Sequence, residues 1–184
     1  MPSDVQRARE RDLIWVETPF EQPAPKVVVA AARAGAYGVL DLGSDADRAL
    51  AALDTVTRRT DQAFGVRAGA RCRLTPSDLP AAVDTVVVAD ASLVDRWRPA
   101  EADDGSTDRR VVVEVRSADE AREAVRAGAD GLVARGAESG GRVGTTGAFV
   151  LAQQVREVAD EAERALPLWV QGGIGRHTAA AAAV

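Results

Sequence analysis

The sequence predicts an α/β protein of the (β/α)8 barrel type, a TIM barrel that stops before its eighth strand. Three observations predict it. Short apolar, β-branched runs alternate with longer alanine-rich segments along the chain, the pattern of parallel strands covered by helices. The segment Arg33–Gly43, RAGAYGVLDLG, is echoed 93 residues later by Arg126–Gly136, RAGADGLVARG. The first candidate strand leads into Thr18-Pro19-Phe20, where a doubly wound dinucleotide-binding sheet would carry its glycine-rich phosphate loop. The echo runs from the second strand to the sixth, four strand–helix units apart. Half-barrel symmetry produces that spacing, and an open sheet has no need of it. Chance recurrence of a common helix-to-strand turn is the competing reading.

The candidate strands are Leu13–Glu17, Gly38–Leu42, Ala63–Val66, Thr85–Ala89, Arg110–Val115, Gly131–Ala134 and Leu168–Gln171. Their near-continuous valine and leucine suits strands buried on both faces. Helical patterns fill the intervals at Ala24–Ala34, Asp45–Thr60, Ser117–Ala127 and Gly147–Ala165. Ser117 with Glu120 reads as a capping box that starts the third of these. Gly35 and Gly128 stand where a helix ends on a left-handed residue and the chain enters a strand at once. A short helical turn is expected at Leu79–Val83, and a short helix around Trp97 and Pro99, followed by a polar loop over Glu101–Asp108. At about 26 residues per unit, an eighth strand belongs roughly ten residues past Val184, so a fragment of a longer barrel is expected. The domain reading is a charged tail over 1–12 and an incomplete barrel over 13–184.

The bulk numbers limit the function. Of 184 residues, 46% are apolar and 28% charged, with a formal net charge of −5. No basic stripe interleaved with aromatics is present, so nucleic acid is not an expected partner. No run of about 18 apolar residues marks a membrane span, and the charged start lacks the apolar core of a signal peptide. Cys72 is the only cysteine, so no disulfide framework or thiolate metal site is expected within the chain. A cytoplasmic setting follows as the expectation.

In such barrels chemistry sits at the carboxyl ends of the strands. Two loops there are rich in glycine: Arg135–Gly144 after the sixth strand and Gln171–Gly175 after the seventh. Paired glycines let backbone N–H groups approach an anion, and a following helix start favours it. Tight turns whose glycines only avoid steric strain are the alternative.

The two loops carry a resemblance. G-x-E-S-G-G-x-x-G after a G-A-D-G-L-V-A strand, followed by P-L-W-V-Q-G-G-I-G, is similar to the nitronate monooxygenase family, the FMN-dependent barrels that include flavin enoyl reductases. T-P-F after the first strand, A-A-R-A-G-A-Y-G-V-L-D-L-G and F-G-V-R at the third strand agree in order, so the likeness covers about Leu13 to Val184. The wording looks most like barrel domains attached to large polyketide or polyunsaturated fatty-acid synthases. The resemblance implies FMN, with Gly136, Glu138, Ser139, Gly140 and Gly141 lining the flavin and its phosphate. Gln171, Gly172 and Gly173 would hold the phosphate from the other side. It also implies NADPH as a possible electron donor, a small-molecule or acyl-thioester substrate, and acyl carrier protein domains as partners.

Two departures from the family pattern matter. Arg142 stands where the family has a histidine, and Arg67 replaces the amide of F-G-V-N. A guanidinium keeps its charge near neutral pH and cannot act as a base, but Arg142 can stabilise a developing oxyanion or bind a phosphate. Arg67 would either balance flavin charge or block the pocket. Of the remaining polar residues, His177 is the only histidine and reads as solvent-facing or a phosphate contact. Glu114 either faces the site or pairs with an arginine, and Glu17 and Asp41 either point to the pocket or cap a loop. Trp15 and Trp169 read as packing. The leading expectation is an FMN-dependent oxidoreductase domain of a synthase. Its rivals are a degenerate barrel kept as a scaffold, and a phosphate-binding barrel without flavin.

Overall fold

A computed structural model describes residues 12–98, 109–175 and 177–182. Pro99 and the expected loop at 101–108 lie outside the described residues, as does the charged tail as far as residue 11. The fold resolves into two compact units, one of Met1–Val87 with Trp97–Arg109 and one of Val88–Arg96 with Arg110–Val184.

The N-terminal unit carries β1 (Trp15–Glu17), α1 (Pro25–Arg33), β2 (Tyr37–Asp41), α2 (Ala46–Arg59), β3 (Phe64–Ala68) and β4 (Val83–Val88), whose last residue opens the other unit. The strands neighbour one another in chain order, and β1–β2 and β2–β3 pair in parallel. Consecutive order without a reversal is that of a barrel wall, not of a doubly wound sheet. Every residue of β2 and β3 is buried, as expected for strands covered on both faces. Pro25 sits in the first turn of α1, where its missing N–H costs nothing. Val28, Val29, Ala31 and Ala32 form the buried stripe of that helix. A side chain on Gly38 would come within 2.7 Å of Val28 Cγ1, so glycine lets α1 lie tight on β2. In α2 the Asp45 carboxylate accepts the Arg48 N–H at 3.1 Å, and Ala49, Ala52, Leu53 and Val56 face the core.

The C-terminal unit carries α3 (Val94–Trp97, ending at the unit boundary), β5 (Arg110–Val115), α4 (Ala118–Arg126), β6 (Gly131–Arg135), α5 (Ala148–Asp160), β7 (Leu168–Gln171) and the four-residue α6 (Ala179–Ala182). Its strands again neighbour in chain order and pair in parallel. β5 and β7 have the bounds read from the sequence. β6 gains Arg135, and α5 ends at Asp160 rather than Ala165.

The helix-to-strand turns of the echo are the same motif twice. Gly35 has φ +77° and Gly128 has φ +81°. In the first, Gly35 N–H donates to Ala32 O and Ala36 N–H to Ala31 O. In the second, Gly128 N–H donates to Val125 O and Ala129 N–H to Ala124 O. Both are Schellman caps, which satisfy the last helical carbonyls and need a left-handed residue.

Two local expectations are refined. The turn expected at Leu79–Val83 is there as one hydrogen-bonded turn, Val83 N–H to Pro80 O at 3.0 Å, and is preceded by a 3-10 turn at Pro76–Asp78. Thr75 accounts for it, because its N–H and hydroxyl both donate to the Asp78 carboxylate at 2.7 Å. The capping box at Ser117 is half made. Ser117 Oγ accepts Glu120 N–H at 3.2 Å, but the Glu120 carboxylate reaches back to Arg116, taking its N–H at 2.8 Å and its guanidinium.

Candidate functional site

The loop between β6 and α5 is folded by its own hydrogen bonds. Ser139 N–H and Oγ both donate to Gly136 O, at 3.0 and 2.8 Å, closing a tight turn. Ala137 N–H donates to Thr146 O and Gly136 N–H to Gln171 O, each at 2.9 Å, which ties the loop to its own far end and to β7. A Cβ on Gly136 would lie 2.5 Å from the backbone of Ala148, so the helix start is packed directly on that glycine. The Glu138 carboxylate accepts the Ala148 N–H at 3.0 Å. It therefore supplies the anionic cap that Gly147, at the N-cap position, cannot.

The loop after β7 packs against this turn. Gly172 and Gly173 have φ +114° and +63°, conformations that side chains rarely tolerate. A Cβ on Gly172 would meet Ser139 N at 2.9 Å. By contrast, a Cβ on Gly140 or Gly175 would meet nothing within 4 Å. Gly136, Glu138, Ser139, Gln171, Gly172 and Gly173 thus pack together, and Gly140 alone among the glycines of this group has open space beside it. Gly175 N–H turns inward to Thr178 Oγ1 at 2.9 Å. His177 is exposed.

Beneath the turn lies a buried ion pair. Glu114 faces Val133 in the β5–β6 register, so Arg135 is the next residue along the same face of β6. The side chains of Arg135 and Glu114 are 3% and 4% exposed and bonded to each other. The second guanidinium nitrogen of Arg135 donates to Gly140 O at 2.8 Å. Glu114 is thereby the arginine partner, one of its two expected readings. Arg142, by contrast, is exposed on the loop, after Gly141 at φ +79°.

Arg67 belongs to the other unit. Its guanidinium is buried, bonded to Asp41 Oδ2 at 3.0 Å and to Glu17 Oε1 at 3.3 Å, with the Phe20 ring 4.7 Å away. Asp41 also accepts Glu21 N–H at 3.0 Å and Gly43 N–H at 2.7 Å, and its own N–H donates to Thr18 Oγ1 at 2.8 Å. Asp41 is thus a loop cap, and Arg67 is held by carboxylates. The sequence reading missed Arg135 as an anchor. Finding it requires the strand register, which local pattern does not carry.

A search of curated proteins gives no match. Among solved structures, a variant of FabK from Thermotoga maritima is 25% identical with a TM-score of 0.66, covering 91% of this chain and 56% of that one. The chain therefore spans little more than half of that protein's length. The nitroalkane oxidase from Streptomyces ansochromogenes is 22% identical with a TM-score of 0.64, covering 88% and 59%. Citrate synthase SbnG, at 14% identity and a TM-score of 0.51 over 90% and 81%, shares the fold alone. The family model described as nitronate monooxygenase matches residues 78–184, more than half of the chain and the whole of the glycine-loop region. The chain belongs to the nitronate monooxygenase family, a family of oxidoreductases.

Proposed function

We propose that the chain is the FMN-binding part of a flavin-dependent oxidoreductase of the enoyl-reductase kind, working on an acyl thioester within a polyketide or fatty-acid synthase. The observation that carries it is the side-chain-free backbone at Gly140 and Gly173, on two loops held together by the Gly136–Gln171 hydrogen bond. Such backbone fits a phosphate and a flat ring, because backbone N–H groups approach an anion closely only where no Cβ intervenes. FMN, when bound, supplies hydride transfer.

The chain's own residues then have distinct tasks. Gly140 and Gly173 present backbone to the phosphate. Ser139 and Gly136 keep the opposing turn rigid, and Glu138 holds the start of α5. Arg142, permanently charged, stabilises negative charge developing on a thioester oxygen. It cannot take a proton from a nitroalkane, and the one histidine of the sequence stands elsewhere, at position 177. This favours reduction of an activated double bond, with NADPH as donor, over nitronate oxidation. Acyl carrier protein is the partner that would deliver such a thioester.

The test is a visible spectrum of the purified, desalted protein, followed by titration with FMN. A flavin band, bleached by NADPH and restored by a crotonyl thioester, supports the reading. A colourless protein that takes up no FMN overturns it. That outcome would favour the scaffold reading, to which the carboxylate-bound state of Arg67 already lends support.

A further inference from the structure

The ion pair of Arg135 and Glu114 meets the candidate site at one point, the Gly140 carbonyl. Two nearly fully buried, oppositely charged side chains are not needed to fill a core. Apolar residues of similar volume generally serve stability as well or better. What an apolar pair cannot do is the second half of this arrangement. A guanidinium is a rigid planar fork with donors pointing in fixed directions. Here one arm is bonded to Glu114 and the other to the carbonyl of Gly140, five residues further along the same loop.

That carbonyl lies between two parts of the loop that are held differently. Before it, the turn Gly136–Ser139 is fixed by Ser139 and by Gly136 N–H to β7. After it come Gly141, in a left-handed conformation, and Arg142. Two adjacent glycines leave the limb with large backbone freedom unless something fixes it. Gly140 has open space where a side chain would be, so packing does not fix it. The Arg135 hydrogen bond to Gly140 O does.

We propose that Arg135 is a positioning residue. Oriented by Glu114, it fixes the Gly140 carbonyl and thereby aims the Gly140–Gly141 backbone and Arg142 at the flavin. The proposal rests on the flavin reading above for what is positioned, and on the loop geometry alone for how. A lysine in its place would keep the charge balance with Glu114 but, as a single point donor, would not span both acceptors.

Three forms of the intact protein distinguish positioning from mere stability: wild type, Arg135→Lys, and the double variant Glu114→Leu with Arg135→Met. The double variant removes both buried charges together, so its melting temperature is expected to match or exceed that of the wild type. Two readouts are taken on each. The first is amide hydrogen exchange at residues 140–143 in flavin-free protein, expected to accelerate about tenfold in both variants on loss of a charge-assisted hydrogen bond. The second is the dissociation constant for FMN from flavin fluorescence, expected to rise roughly tenfold in both. Exchange unchanged in the well-folded double variant overturns the proposal. So does faster exchange with unchanged FMN affinity, because the limb would then not be what the flavin needs. If the wild type itself binds no FMN, the flavin reading falls, and exchange alone decides whether Arg135 fixes the loop.

Discussion

Each unit buries an arginine on a strand and pairs it with a carboxylate on the strand before, yet the two arginines are used differently. Arg67 on β3 commits its guanidinium to Asp41 and Glu17 and stacks beside Phe20. Asp41 in turn gathers the amides of Glu21 and Gly43. The charges at these strand ends are consumed in folding the loop after β1. Glu21 there is the only non-glycine residue at positive φ among those described, at +55°. In the C-terminal unit Arg135 gives one arm to Glu114 and the other to a loop carbonyl, and the loop so held keeps its glycines bare. The N-terminal network is closed on itself. The C-terminal one ends on the carbonyl of Gly140, a glycine with open space beside it.

The sharpest way to break this comparison is in the closed network. Asp41→Ala should lower the free energy of unfolding by about 3–5 kcal/mol, because it leaves Arg67 buried beside one carboxylate and orphans two amides. Urea denaturation measures it, and a loss below about 1 kcal/mol would show the network to be solvated. In the C-terminal unit, Gly136→Ala should cost about 1–3 kcal/mol, since its methyl collides with the Ala148 backbone. The same titration checks this. Gly140→Ala sharpens the contrast. It should change stability by less than about 0.5 kcal/mol, yet weaken FMN binding, because its methyl enters the open surface. Equal FMN affinity in that variant would place the ligand elsewhere.

The smallest effect lies in the N-terminal unit. The Asp78 carboxyl is held below its ordinary value by the Thr75 hydroxyl first and the Thr75 N–H second. A depressed carboxylate stabilises fully above its unfolded value near ~3.9 and loses that contribution as pH falls through the lower folded value. Thr75→Ala should therefore cost about 0.5 kcal/mol at pH 7, a difference that fades as the pH falls below about 3.9. Melting temperatures at pH 7 and at pH 3 test both parts.

What could be read from the sequence was local. The Ala-Gly-Ala turns are legible because a Schellman cap is specified by a glycine one residue beyond the helix. Leu168–Gln171 is legible because Pro167 and Gly172 bracket it. Asp45 and Ser117 announce their helix starts by hydrogen-bonding three residues ahead. The Thr75-Pro76-Ser77-Asp78 turn is equally local, closed by the Thr75 bonds to Asp78. The arginine pairs were not legible. Whether Glu114 meets Arg135 or Glu17 meets Arg67 depends on strand register, and register is set by the sheet as a whole. Glu138 shows a further limit. The family pattern implies a flavin contact, while the structure gives its carboxylate a bond to the first amide of α5.

That bond has a consequence for whatever approaches these loops. The first turn of α5 is already occupied by a negative charge from the chain itself. A second anion arriving there would meet repulsion instead of open amides. The same side chain borders Gly173, where a Cβ would stand 3.9 Å from Glu138 Cδ, so an anion held at that glycine would feel the same charge.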